Sequence, residues 1–92
     1  MRSDAEKAAF FSDPQINDVY EYKVFDGYYS TMRIFDMVGD SIMFEDNEYG
    51  IDKKYSLSQI EHDTSYQGMF STYHKDELKE MFDNEDIFDI KR

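Results

Sequence analysis

The chain has 92 residues, 21 of them acidic against ten basic for a formal net charge of −11, and it has no cysteine. That length makes one domain near the lower limit of what folds unaided, and the missing thiols exclude a disulfide framework and any thiolate metal site. The charge argues against DNA, RNA or an anionic membrane surface as a direct partner. Eight Phe, eight Tyr and six Met must then supply the core, since aromatics bury much area per residue and Met fills the gaps between them.

In chain order, "SDAEKAAFFSDP" reads as a short helix. Ser3 and Glu6 make a capping box, Ala5, Ala8 and Ala9 recur at helical spacing, and Pro14 stops the run. Residues 1–13 are therefore a lead-in helix on the edge of the domain, and 14–92 a single small β-barrel domain. From Asn17 the period becomes two: Tyr20, Tyr22 and Val24 share one side of a strand, with Glu21 and Lys23 opposite. Asp26-Gly27 is a hairpin signal, and "YYSTMRIFDMV" places Met32, Ile34 and Val38 on one face. Gly39-Asp40 has Gly first, as a type II′ turn prefers, and "SIMFED" returns with Ile42 and Phe44 inward. Three strands so joined form a meander.

"NEYGIDKK" is a loop, "KYSLSQIEH" a weaker strand, and "YQGMF" a short segment that docks Met69 and Phe70 on the barrel. Thr72 caps a helix through Phe82, whose Leu78, Met81 and Phe82 form one apolar stripe. "DIFDIKR" resumes a period of two, with Phe88 and Ile90 on one face. The fold expected is mainly β (α+β). It is a small, strongly bent antiparallel sheet or SH3-like barrel, with a short N-terminal helix and a helix before the last strand.

The succession "DPQINDVYEYK", "YYSTMRIFDMVGDSIMFEDN" and "KDELKEMFDNEDIFDIKR" resembles a diffuse set of small uncharacterised bacterial proteins. In those, a short N-terminal membrane anchor precedes an SH3-like barrel domain. The resemblance covers most of residues 13–92, rests on turns and core positions, and carries over no functional residue. It implies a bacterial, envelope-associated setting, with the membrane reached only through an upstream anchor. "MRSDAEKAAFF", read as a Met placed before a truncated segment, fits that expectation.

Motifs for chemistry are few. A calcium loop begun at Asp83 puts Ile87 and Phe88 where a ligand and the glycine belong, and one in "EDNEYGID" puts Tyr49 at a ligand position. The acidic run Asp83-Asn84-Glu85-Asp86 reads instead as a turn. "HKDEL" is internal, so it is no retention signal, and His62 and His74 belong to no paired-histidine motif. No serine sits in a nucleophile elbow, and no glycine-rich phosphate loop occurs. No metal, cofactor or catalytic residue is assigned.

Two features remain. Residues 36–63 hold eight acids and two bases, whereas 1–35 hold six and four. Tyrosines also exceed what one small core holds, so some reach the surface. The candidate interaction patch is Tyr28, Tyr29 and Tyr49 with Asp36, Asp40, Glu45, Asp46 and Glu48. The function read from it is a non-enzymatic protein-interaction domain of a membrane-tethered bacterial protein. The rival reading is an acidic, immunity-type inhibitor that occupies the basic site of a nuclease, toxin or nucleic-acid-binding protein.

Overall fold

A period-two pattern that returns through tight turns folds back beside itself, and the ladders show it. The computed structural model describes residues 3–60 and 65–92. Its elements are α1 (Asp4–Ser12), β1 (Val19–Phe25), β2 (Tyr28–Val38), β3 (Ser41–Asn47), a 3₁₀ segment (Lys54–Gln59), β4 (Tyr66–His74), α2 (Lys75–Asp83) and β5 (Ile87–Lys91). The strands form one antiparallel sheet in the order β4-β3-β2-β1-β5. The meander is as read from the sequence. Gly39 takes φ +59° with Asp40 outside the left-handed region, the requirement of a type II′ turn. Among the described residues no ladder joins β4 to β5, so these two are the sheet's edges. Five flat strands would set those edges about 19 Å apart. The nine residues of α2, about 13 Å long, and the turns at its ends cross that gap over one face.

That inner face holds the core. Tyr20, Met32, Ile34, Ile42, Phe44, Leu78, Ile87 and Ile90 are buried together, with Phe10, Phe11, Met81 and Phe82 packed on them. The apolar stripe of α2 faces the sheet as expected, and Phe11 of α1 stacks on Phe82 with centroids 4.3 Å apart. The acidic run after α2 is a Schellman turn. Glu85 takes φ 63°, its N–H bonds to Phe82 O at 3.1 Å, and the Asp86 N–H bonds to Met81 O at 2.8 Å. At the other end, Arg92 donates to both carboxylate oxygens of buried Asp18, each at 3.0 Å, and lies over the Phe10 ring.

Five expectations need correction. Val38 does not join Met32 and Ile34. A bulge between Ile34 and Asp36 pairs Met37 with inward Ile42, turning Val38 outward to 72% exposure. A second bulge, between Glu21 and Tyr22 opposite β5, pairs Tyr22 with Ile87 and Tyr20 with Ile90. Ile87 thus shares the core with Ile90, while Phe88 leaves it to meet Tyr29 edge-on at 5.7 Å. "KYSLSQ" is a 3₁₀ segment, because its three-residue repeat sets Leu57 and Ile60 on one side and buries Leu57 at 1% exposure. The Glu61-His62 end of that expected strand lies outside the described residues. Thr72 lies in β4 opposite Met43, and α2 begins three residues after it. The cap is His74, whose Nδ1 accepts the Asp76 N–H while Glu77 accepts the His74 N–H, a full capping box. Met69 and Phe70 do not dock, being 47% and 48% exposed on β4.

Candidate functional site

The sheet face turned away from the helices is unevenly covered. Over β1, β2 and β5 the 3₁₀ segment lays down Leu57, and the Lys54 ammonium stands 4.6 Å from the Phe88 ring centre and 5.5 Å from that of Tyr29. A shallow groove of about 510 Å³ remains there, lined by Glu21, Lys54, Leu57, Ser58, Phe88, Asp89 and Lys91. Its charges offset each other, as in the Lys91–Glu21 pair at 2.9 Å. The other half, over β3, β4 and the end of β2, carries no covering segment among the described residues. Phe35 at the β2 bulge and Phe70 on β4 are 54% and 48% exposed, with ring centres 4.9 Å apart. Val38 adjoins them in sequence, past the bulge. Below them Arg33 bonds Glu45 at 2.9 Å and lies 4.3 Å over the Tyr66 ring, a rigid polar border to an apolar surface.

The residues singled out from sequence do not form one patch. Tyr28 is spent on packing. Its ring stacks on Phe25 at 5.1 Å, its hydroxyl donates to Gly50 O at 3.1 Å, and a Cβ on Gly50 would stand 2.2 Å from its Cε2. Tyr29 is half-buried, its backbone bridged to Ile51 at 2.7 and 2.8 Å. Tyr28 nevertheless stays 36% exposed, and Tyr49 is the most open of the three at 53%, its carbonyl accepting from Ser30. Tyr28 lies seven residues from Phe35, about 23 Å along β2.

The acids divide as well. Asp36, Asp40 and Glu48 are exposed. Glu45 is held by Arg33 and by the Gly68 N–H at 3.2 Å. Asp46, opposite Met32, is half-buried: Ser71 donates to its Oδ2, and its Oδ1 is buried with no hydrogen-bond partner among the described residues. Phe35 and Phe70 were missed, although a readable sign existed. Counting in twos from Met32 leaves Phe35 on the outward side with Arg33.

Burial raises the Asp46 carboxyl above the usual range, with the Ser71 bond partly opposing it. Burial also pushes the Tyr22 phenol up to about 12, helped by the Asp46 charge and by Tyr73 and Tyr66. Tyr73 rises too, first by burial, then through Asp46 and Glu77. This knot has a stability consequence. A carboxyl with a raised folded pKa binds more protons folded than unfolded, so its ionised form penalises folding at neutral pH. The penalty fades as pH falls through that pKa toward the ordinary carboxylate value. Asp46→Asn keeps an acceptor for Ser71 and removes the charge. It should be the more stable form at pH 7, because the half-buried charge is gone. Urea melts at pH 7 and pH 4 should show the difference shrinking on acidification; a widening difference contradicts the assignment.

Among the described residues no three His, Asp or Glu side chains converge to hold a metal ion, and no helix is long and apolar enough to cross a membrane. His62 lies outside the described residues. Set against protein-family models, curated proteins and solved structures, the chain finds no match in any of the three.

Proposed function

We propose that this chain is a non-enzymatic protein-interaction domain that binds a protein partner on the half of its helix-free sheet face that carries exposed Phe35 and Phe70. The observation that carries the reading is the Phe35–Phe70 pair, two large rings held together in solvent on a framework of strands. Exposed apolar surface of this kind on a small charged domain marks an interaction site more often than a chance exposure. The resemblance to anchored SH3-like proteins supplies the setting within this reading, a domain held near a membrane by an upstream segment. The inhibitor reading is weakened because its acids are dispersed: Glu45 and Asp46 are taken up by Arg33, Gly68 and Ser71.

The test is a selection of peptide binders against the immobilised domain, followed by mapping. Phe35→Ala and Phe70→Ala should each weaken the selected binders by about 2 kcal/mol, roughly 30-fold, as central interface aromatics do. Tyr49→Ala, at the distant corner, should change affinity less than about twofold on the same scale. Binders that respond to Tyr49 and ignore both phenylalanines would refute the reading.

A further inference from the structure

The edge strand beside this surface is unusual in composition. In a chain that is 34% charged, β4 (YQGMFSTYH) contains no Asp, Glu, Lys or Arg over nine residues. Edge strands are ordinarily guarded by charge, proline or a bulge, because their outward N–H and C=O groups are a template for another strand. Here the guard is local. The register shift between Glu45 and Asn47 and the left-handed Gly68 (φ +83°) distort only the first part of β4. From Phe70 to His74 the pairing with β3 is regular.

The direction of the outward groups follows from two bonds. The Lys75 N–H donates to Asp40 O at 2.8 Å on the β3 side, whereas the His74 N–H donates to Glu77 at 3.1 Å. In an antiparallel strand alternate residues turn both backbone groups to the same neighbour. Tyr73 and Ser71 therefore face β3, and Thr72 and Phe70 present N–H and C=O to the open edge. Carboxylates stand at one end of that edge: Asp76 and Glu77, beside Lys75, follow β4 directly, and Glu77 accepts the edge-facing His74 N–H.

We propose that the open edge of β4, from Phe70 to Thr72, receives an extended basic segment of a partner protein as a sixth strand, which rests on the docking face above and specifies its mode of recognition. Main-chain bonds to Phe70 and Thr72 hold the segment, side chains on one of its faces rest on Phe70 and Phe35, and its cationic residues meet Asp76 and Glu77. The net charge of −11 selects against a second copy of this chain as the occupant, since two such domains repel when edge meets edge.

The probe is a synthetic ten-residue peptide of alternating valine and lysine, with a valine–glutamate peptide as control. The lysine peptide should bind at least tenfold tighter than the control, weaken as salt rises from about 0.05 to about 0.5 M, and slow amide exchange at Phe70 and Thr72. Thr72→Pro removes only an outward N–H, which an edge strand tolerates, so it should weaken binding at least tenfold with little change in Tm. Should that variant unfold, the peptide carries the test. N-methylation of its alternate amides in one of the two registers should cost at least tenfold, and in the other little. Equal binding by both methylated forms, or no binding at millimolar peptide, overturns the proposal. So does protection of the same amides by dimerisation without peptide. Loss with Phe70→Ala and Phe35→Ala but not with N-methylation removes strand addition and leaves the docking face. Sensitivity to N-methylation without sensitivity to Phe35→Ala does the reverse.

Discussion

A chain ending at Phe82 should not fold. The ten residues after Phe82 look like a tail in sequence, yet three buried apolar side chains lie there: Ile87 at 2% exposure, Phe88 at 7% and Ile90 at 0%. Removing them strips Tyr20 and Tyr22 of their facing neighbours and exposes the whole edge of β1. Arg92 is lost with them, so the Asp18 carboxylate, 1% exposed in the full chain, loses both of its guanidinium bonds and keeps the Gln15 N–H at 2.9 Å. Full burial of each large apolar side chain contributes roughly 1.5–3 kcal/mol. Three of them amount to most of the net stability that a domain this small can hold, roughly 5 kcal/mol. Urea denaturation followed by circular dichroism should show a cooperative transition for 1–92 and none for 1–82. A cooperative, native-like melt of the fragment would mean that β5 is dispensable to the core.

The second large effect is a contrast between two phenylalanines on neighbouring strands. Phe44 on β3 is 0% exposed, with Tyr20 and Tyr73 against it at 5.1 and 5.8 Å, whereas Phe70 on β4 is 48% exposed. Phe44→Ala leaves a cavity among buried rings and should cost about 3–5 kcal/mol. Phe70→Ala removes a ring half in water and should cost less than about 1 kcal/mol of stability while weakening partner binding roughly 30-fold. Equilibrium melts of the two variants decide it. Comparable losses would place Phe70 in the core and leave the docking face without its centre.

The contrast also marks where sequence stops being enough. Tyr20, Met32, Ile34, Ile42 and Phe44 were legible as core because alternation along one strand is a local property, and the turns at Asp26-Gly27 and Gly39-Asp40 depend on the residues that form them. The stripe Leu78, Met81 and Phe82 was legible for the same reason, since helical spacing sets it before any partner is known. The turn after α2 was legible in kind, from the preference of Asp and Asn for local backbone bonds, but not in its form with Glu85 left-handed.

What needed the folded chain were the positions where one element's geometry is imposed by another. A bulge changes which face every later residue meets, and its place follows from how two strands far apart in sequence align. That alignment sends Val38 outward and separates Phe88 from Ile90. Exposure is decided the same way: Phe25 and Gly50 cover part of the Tyr28 ring, Phe88 and Lys54 part of the Tyr29 ring, and Asp46 is half-buried beside Ser71. Nothing in the spacing of tyrosines and acids records those covers. The composition of the chain determines that some aromatics must meet water, because one small core cannot hold sixteen Phe and Tyr side chains. On the helix-free face the 3₁₀ segment shelters one half, while Phe35 and Phe70 on the other stay exposed at 54% and 48%, a placement that only the packed sheet decides.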